Sequence, residues 1–105
     1  MKVFFLRSAQ PSVKWFVRYY ASVFPAGAPR ASDRMEQALE RLGANPMIGH
    51  PLPHGALREY SITKTPFSLI YRVKDERIEI LQLRDQRTQP DDPSTRAEPG
   101  NALKP

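Results

Sequence analysis

LREYSITKTPFSLIYRVKDERIEILQLRDQR, residues Leu57 to Arg87, holds three apolar runs separated by two short polar turns. The runs are Leu57–Ile62, Phe67–Val73 and Ile78–Leu83. Each is rich in the β-branched, aromatic and aliphatic side chains that suit a pleated, half-buried surface. Lys74-Asp75-Glu76-Arg77 is short enough to close a hairpin between the second and third runs. On the middle strand Phe67, Leu69, Tyr71 and Val73 share one face, which should meet helices. Ser68, Ile70 and Arg72 share the other. The second face is expected to bring Arg72 near Arg58 of the preceding strand. The last run ends in Arg84-Asp85-Gln86-Arg87, placing two guanidinium groups at the rim of the sheet.

Upstream, Lys2–Arg7 reads as a first strand, and its apolar residues on both faces predict an internal position in the sheet. Ser8 is expected to cap the helix that follows, with Pro11 in its first turn. Val13, Phe16, Val17, Tyr20, Val23 and Phe24 recur at helical spacing and predict one buried stripe. Trp15 and Tyr19 form a second stripe and are the candidates for a partner surface. Two prolines and a glycine break the pattern between Phe24 and Pro29. A second helix follows over Pro29–Leu42, with Ala31, Met35, Ala38, Leu39 and Leu42 on one face. Gly43 is expected to stop it, and Pro46 prevents its continuation. Met47, Ile48 and Leu52 are expected to pin the next loop to the core.

The chain has 105 residues, enough for one domain, and 40% of them are hydrophobic. It has no cysteine, so neither a disulfide framework nor a thiolate metal site can be built. His50 and His54 are four apart, but Pro51 and Pro53 interrupt the helix that an i,i+4 metal pair needs, so no metal or other cofactor is expected. No apolar window approaches the roughly 18 residues of a membrane span, and the first ten residues lack a signal-peptide core. The expected setting is soluble and cytoplasmic. After Gln89, prolines and small polar residues dominate. The expected organisation is therefore a folded domain over 1–88 and a Pro-rich tail over 89–105 without a core of its own.

Sixteen Lys and Arg against eleven Asp and Glu give a net charge of +5. Residues 1–88 hold fourteen of the basic and eight of the acidic side chains, so the basic excess lies in the expected domain. An acidic partner, nucleic acid or protein, fits such a surface.

The order strand, helix, helix, strand, strand, strand at this length resembles the RelE/ParE superfamily of type II toxin–antitoxin toxins. The resemblance rests on Leu39-Glu40-Arg41-Leu42 followed by Asn45-Pro46-Met47-Ile48-Gly49, then Leu57-Arg58-Glu59-Tyr60, Leu69-Ile70-Tyr71-Arg72-Val73 and Ile78–Arg87. It implies an α+β fold in which a largely antiparallel sheet packs against a helical hairpin, and a cognate antitoxin that neutralises the toxin. Trp15 and Tyr19 are the candidate antitoxin contacts. RelE-like members cut messenger RNA on the ribosome with clustered basic side chains, whereas ParE-like members act on DNA gyrase.

The chain departs from the nuclease pattern in several places. Ser68 follows Phe67 where nucleases commonly carry a basic residue, and Asp85 stands where related sequences often have histidine. No Lys-x-Lys pair precedes Leu57, and no tyrosine follows Arg87. Cleavage by 2′-hydroxyl attack needs a base, an acid and a stabiliser of the phosphorane, and arginine supplies only the last well. Tyr60, Tyr71, His54 and Lys64 are chemically able to move protons, but no spacing singles one out.

The expectation is thus a ParE-like gyrase poison that binds its target through Arg58, Arg72, Arg84 and Arg87. The alternatives are a ribosome-dependent endoribonuclease using Arg58, Arg84 and Arg87, and a family member that is no longer toxic. The tail acids Asp91 and Asp92 are further expected to mask Arg84 and Arg87.

Overall fold

The computed structural model describes residues 1–87. The expectations for residue 88 and the Pro-rich 89–105 segment lie outside them. Five strands form one sheet: β1 (Lys2–Phe5), β2 (His50–Pro51), β3 (Arg58–Ser61), β4 (Phe67–Lys74) and β5 (Arg77–Asp85). Their order is β1-β5-β4-β3-β2, with β1 parallel to β5 and the other pairs antiparallel. Helices α1 (Gln10–Arg18) and α2 (Ala28–Ala44) cover one face. The fold is α+β, as the strand and helix patterns imply.

The β4–β5 hairpin holds the centre. Phe67, Leu69 and Tyr71 from β4 meet Ile78, Ile80 and Leu83 from β5 in the core, all essentially inaccessible to solvent. The core spacing along β5 is two and then three, because a bulge intervenes. Ile70 pairs with Gln82 and Tyr71 with Ile80, which leaves Leu81 as the extra residue. The Leu81 carbonyl accepts a 2.9 Å hydrogen bond from Ser8 Oγ. Ser8 therefore ties the helical entry to the sheet instead of capping α1, which begins two residues later without a side-chain cap. Lys74 and Arg77 close the hairpin around Asp75 and Glu76, whose φ values are both positive (53° and 61°). This is the backbone of a type I′ turn built without glycine.

β1 is an edge strand, contrary to the internal position its composition implies. Its apolar outer face is partly covered by a side chain from its neighbour: the Arg77 guanidinium lies 5.2 Å from the Phe4 ring centroid. Sequence periodicity cannot register such a cover.

α1 runs into a π-helical turn, Tyr19–Val23, closed by the Phe24 N–H on the Tyr19 carbonyl at 2.9 Å. The wider turn lets consecutive residues face inward. Tyr19 and Tyr20 are both buried, and both pack on Phe67 with Phe16 beside them. The single stripe expected from 3.6-residue periodicity is thereby corrected. Val17, Val23 and Phe24 are 61%, 58% and 49% exposed. α2 buries Ala31, Ala38 and Leu42 as expected, but it runs past Gly43 to Ala44. The reason for glycine at 43 is close approach. A Cβ there would lie 3.0 Å from the Met1 carbonyl oxygen, and the Met1 ammonium donates to the Gly43 carbonyl at 3.0 Å.

The loop after α2 is held by polar contacts rather than by Met47 and Ile48, which are exposed. The buried Tyr71 hydroxyl donates to the Pro46 carbonyl at 2.7 Å and accepts from the Gly49 N–H at 2.9 Å. Arg58 Nη1 donates to the Met47 and Gly49 carbonyls.

Candidate functional site

Side chains alternate along a strand, so sheet register decides which charged groups meet. Arg58 pairs with Tyr71 and therefore lies on the helix side of the sheet, whereas Arg72 pairs with Glu79 on the open side. The expected Arg58–Arg72 neighbourhood does not form. Arg84 and Arg87 also separate: Arg84 pairs with Ser68 on the open side, whereas the turn after Asp85 brings Arg87 back to that carboxylate on the helix side.

On the open face Glu59 is buried and accepts hydrogen bonds from Ser68 Oγ and from Arg84 Nη1, the latter at 3.2 Å. His50 Nε2 lies 3.8 Å from the same carboxylate. Further along, Glu79 receives Arg72 Nε at 2.7 Å and Arg77 Nη2 at 2.7 Å. Hydrogen bonds from Arg72 and then Arg77 hold the Glu79 carboxyl below its ordinary pKa. These are two carboxylate-centred arginine clusters. Guanidinium groups held this way position strands, and the exposed flanks of Arg72 and Arg77 remain available to an acidic partner.

On the helix side, at the end of β5, buried Asp85 joins three elements. Its Oδ2 accepts from Trp15 Nε1 at 2.8 Å and from Arg87 Nη2 at 3.0 Å. Burial pulls the Asp85 pKa upward, but hydrogen bonds from Arg87 and Trp15, with the Arg87 charge, outweigh it and set it below the ordinary value. Arg87 is pushed up by the same carboxylate. Its guanidinium carbon sits 4.3 Å from the Tyr19 ring centroid, and Nη1 donates to the Tyr19 hydroxyl at 3.0 Å. Trp15 and Tyr19, the candidate partner contacts, thus direct their polar atoms inward. The apolar surface that this helical segment leaves open is made by Val17, Val23 and Phe24.

Between the helices lies an open groove of about 400 Å³, lined by Phe16, Val17, Tyr20, Ala31 and Met35 among others. Sequence reading missed it because Phe16, Tyr20 and Met35 look like core by spacing. They are core, but their outer edges also wall the groove. Among the described residues, no group of three or more His, Asp or Glu side chains is arranged to hold a metal ion, and no helix is long and apolar enough to cross a membrane.

Residues 3–90 match the sequence model of a family described as the ParE toxin of the type II toxin–antitoxin system, parDE. Among solved structures, the chain resembles one titled "Chromosomal ParDE TA system from P. aeruginosa". The TM-score is 0.64 and the sequence identity 25%, over 81% of this chain and 95% of that one. No curated protein sequence matches it. The family match spans both helices and all of the sheet but Lys2, and the structural likeness covers nearly all of the solved chain. The protein therefore belongs to the ParE toxin family of type II toxin–antitoxin systems.

Proposed function

We propose that the chain is a cytoplasmic toxin that inhibits DNA gyrase by binding it and is neutralised by a cognate antitoxin. The observation that favours binding over strand cleavage is the occupation of its arginines. Arg84 is held by Glu59 and Arg87 by Asp85, on opposite faces of the sheet, where a nuclease would converge them on one phosphate. Of the four arginines expected at the target, Arg72 is half-buried on the open face (35%) and Arg87 exposed on the helix side (46%), and the two are assigned to contacts on different faces of the sheet. Arg58 and Arg84 brace the loop and the sheet around them.

The antitoxin is assigned to the groove between α1 and α2. Its apolar lining and the exposed Val17 suit the apolar side of an amphipathic helix. Tyr19 backs this surface through its ring contact with Tyr20, and Trp15 packs on Tyr19 in turn.

A supercoiling assay with purified toxin and gyrase tests the target. Inhibition that is lost when antitoxin is added is the expected result, and normal supercoiling at saturating toxin overturns it. Primer extension on translated messages is expected to show no new ends, and cleavage abolished by Arg84→Ala would install the nuclease reading instead.

A further inference from the structure

On the far side of Tyr20 and Ala31 from the groove lies a second depression of about 260 Å³. Its wall is the ring of Phe24, and its rim carries Arg30, Arg34 and Lys64. These three differ from the arginines of the sheet. Arg72, Arg77, Arg84 and Arg87 are each paired with a carboxylate, whereas among the described residues no carboxylate lies within ion-pair distance of Arg30, Arg34 or Lys64. Arg30 and Arg34 are four apart on α2 and so stand on one helix face. Lys64 reaches the same rim from the β3–β4 loop. Three like charges around one cavity repel one another unless a partner supplies the opposite sign.

The wall is built, although it is half-exposed. A Cβ on Gly27 would lie 2.5 Å from one Phe24 ring atom and 3.2 Å from one on Tyr20. Glycine at 27 therefore lets the Phe24 ring lie against the backbone, with Tyr20 at 6.3 Å between centroids. An aromatic held at the surface above a cavity suits an apolar side chain of a partner.

We infer that this depression is a docking site for an acidic segment of the antitoxin. One apolar side chain enters against Phe24, and flanking carboxylates are held by Arg30, Arg34 and Lys64. The inference rests on the assignment of the antitoxin helix to the adjoining groove. Groove and depression share Tyr20 and Ala31 in their linings, so a chain leaving one passes directly over the other. The shape favours a peptide over a nucleic acid. The cations converge on one cavity of side-chain size, whereas a duplex backbone needs them spaced along a track.

The test measures antitoxin affinity as a function of salt for the intact toxin and four variants. Arg30→Glu/Arg34→Glu should weaken binding at least tenfold at low salt and flatten the salt dependence. Phe24→Ala should weaken it severalfold with the salt slope unchanged. Lys2→Glu/Lys74→Glu, on the opposite face, should change it less than twofold. Thermal unfolding of each variant confirms that it is folded. Affinity within twofold of wild type for Arg30→Glu/Arg34→Glu overturns the inference, as does an equal loss in the opposite-face variant. Loss of binding to a 20-base-pair DNA duplex, with antitoxin affinity retained, overturns it in favour of nucleic acid. Met35→Glu, in the groove alone, separates the two assignments. If it leaves antitoxin affinity intact, the groove assignment fails first, and if it alone weakens binding, only the depression is wrongly assigned.

Discussion

Trp15 and Asp85, seventy residues apart in sequence, are joined by a 2.8 Å hydrogen bond from the indole nitrogen to the carboxylate. The bond fastens α1 to the end of the last strand and sets the position of Arg87 over Tyr19. Trp15→Phe keeps most of the packing and deletes the donor. It should cost about 1–2 kcal/mol in urea unfolding, the usual penalty for leaving one buried acceptor short of a partner. Asp85→Ala should cost more, because it strands both the indole N–H and the Arg87 guanidinium.

The same carboxylate, with Glu79, governs the acid limb of stability. Both pKa values are lowered in the folded state. Their contribution is therefore complete above the unfolded carboxylate values near pH 4 and disappears as pH falls through the lower folded values. The melting temperature should be flat from pH 6 to about 5 and drop steeply below 4. In Glu79→Gln the drop should be shallower, and an unchanged profile would remove Glu79 from this role.

The type I′ turn at Asp75-Glu76 places two non-glycine residues at positive φ. Glu76→Gly should relieve the strain at one of them and raise stability by about 0.5–1 kcal/mol, although glycine also loosens the unfolded chain. Equilibrium denaturation decides the sign, and a loss of stability would mean that the turn is not strained.

Gly49 is enclosed more tightly than any turn requires. A Cβ there would approach the Tyr71 hydroxyl oxygen to 2.7 Å and the Glu59 carbonyl oxygen to 2.8 Å. Gly49→Ala should displace the loop and break its tie to Tyr71, at a cost of about 2 kcal/mol or more. Gly55 has a φ of +59° but open space around it, so Gly55→Ala should cost only backbone strain of about 1 kcal/mol. Comparing the two melting curves separates crowding from conformational preference.

The sheet was legible where side chains alternate strictly. Phe67, Leu69 and Tyr71 announced both a strand and its buried face, and the Lys74–Arg77 turn announced its partner. Three features lay beyond pattern. The β5 bulge at Leu81 changes face assignment in mid-strand, and no residue type marks it. The π turn after Arg18 breaks the 3.6-residue rule, so Tyr19 was placed outside and Val17 inside. Register separates Arg58 from Arg72, and register is a property of two strands together. The site followed the same division. The arginines were visible as residues, but whether each is spent on a carboxylate or left for a partner depends on contacts between distant segments, such as Arg84 with Glu59. The grouping of Arg30 and Arg34 with Lys64, which the sequence offers only as a group able to move a proton, is invisible in sequence because their meeting point exists only once the β3–β4 loop folds back beside α2.

The parallel pairing of β1 with β5 ties the beginning of the described chain to its end. Among the described residues β1 is made before the other strands, and it pairs with the last of them. α1 likewise waits for Asp85. Until β5 has emerged, a nascent chain has only Phe67 of β4 and the Met1–Gly43 tie to hold its helices and first strand, so the fold is completed late. Early termination anywhere before β5 should therefore yield no partial toxin, only a chain for proteases. Folding dominated by such distant contacts is slow. The interval between synthesis and a finished toxin is thus written into the strand order.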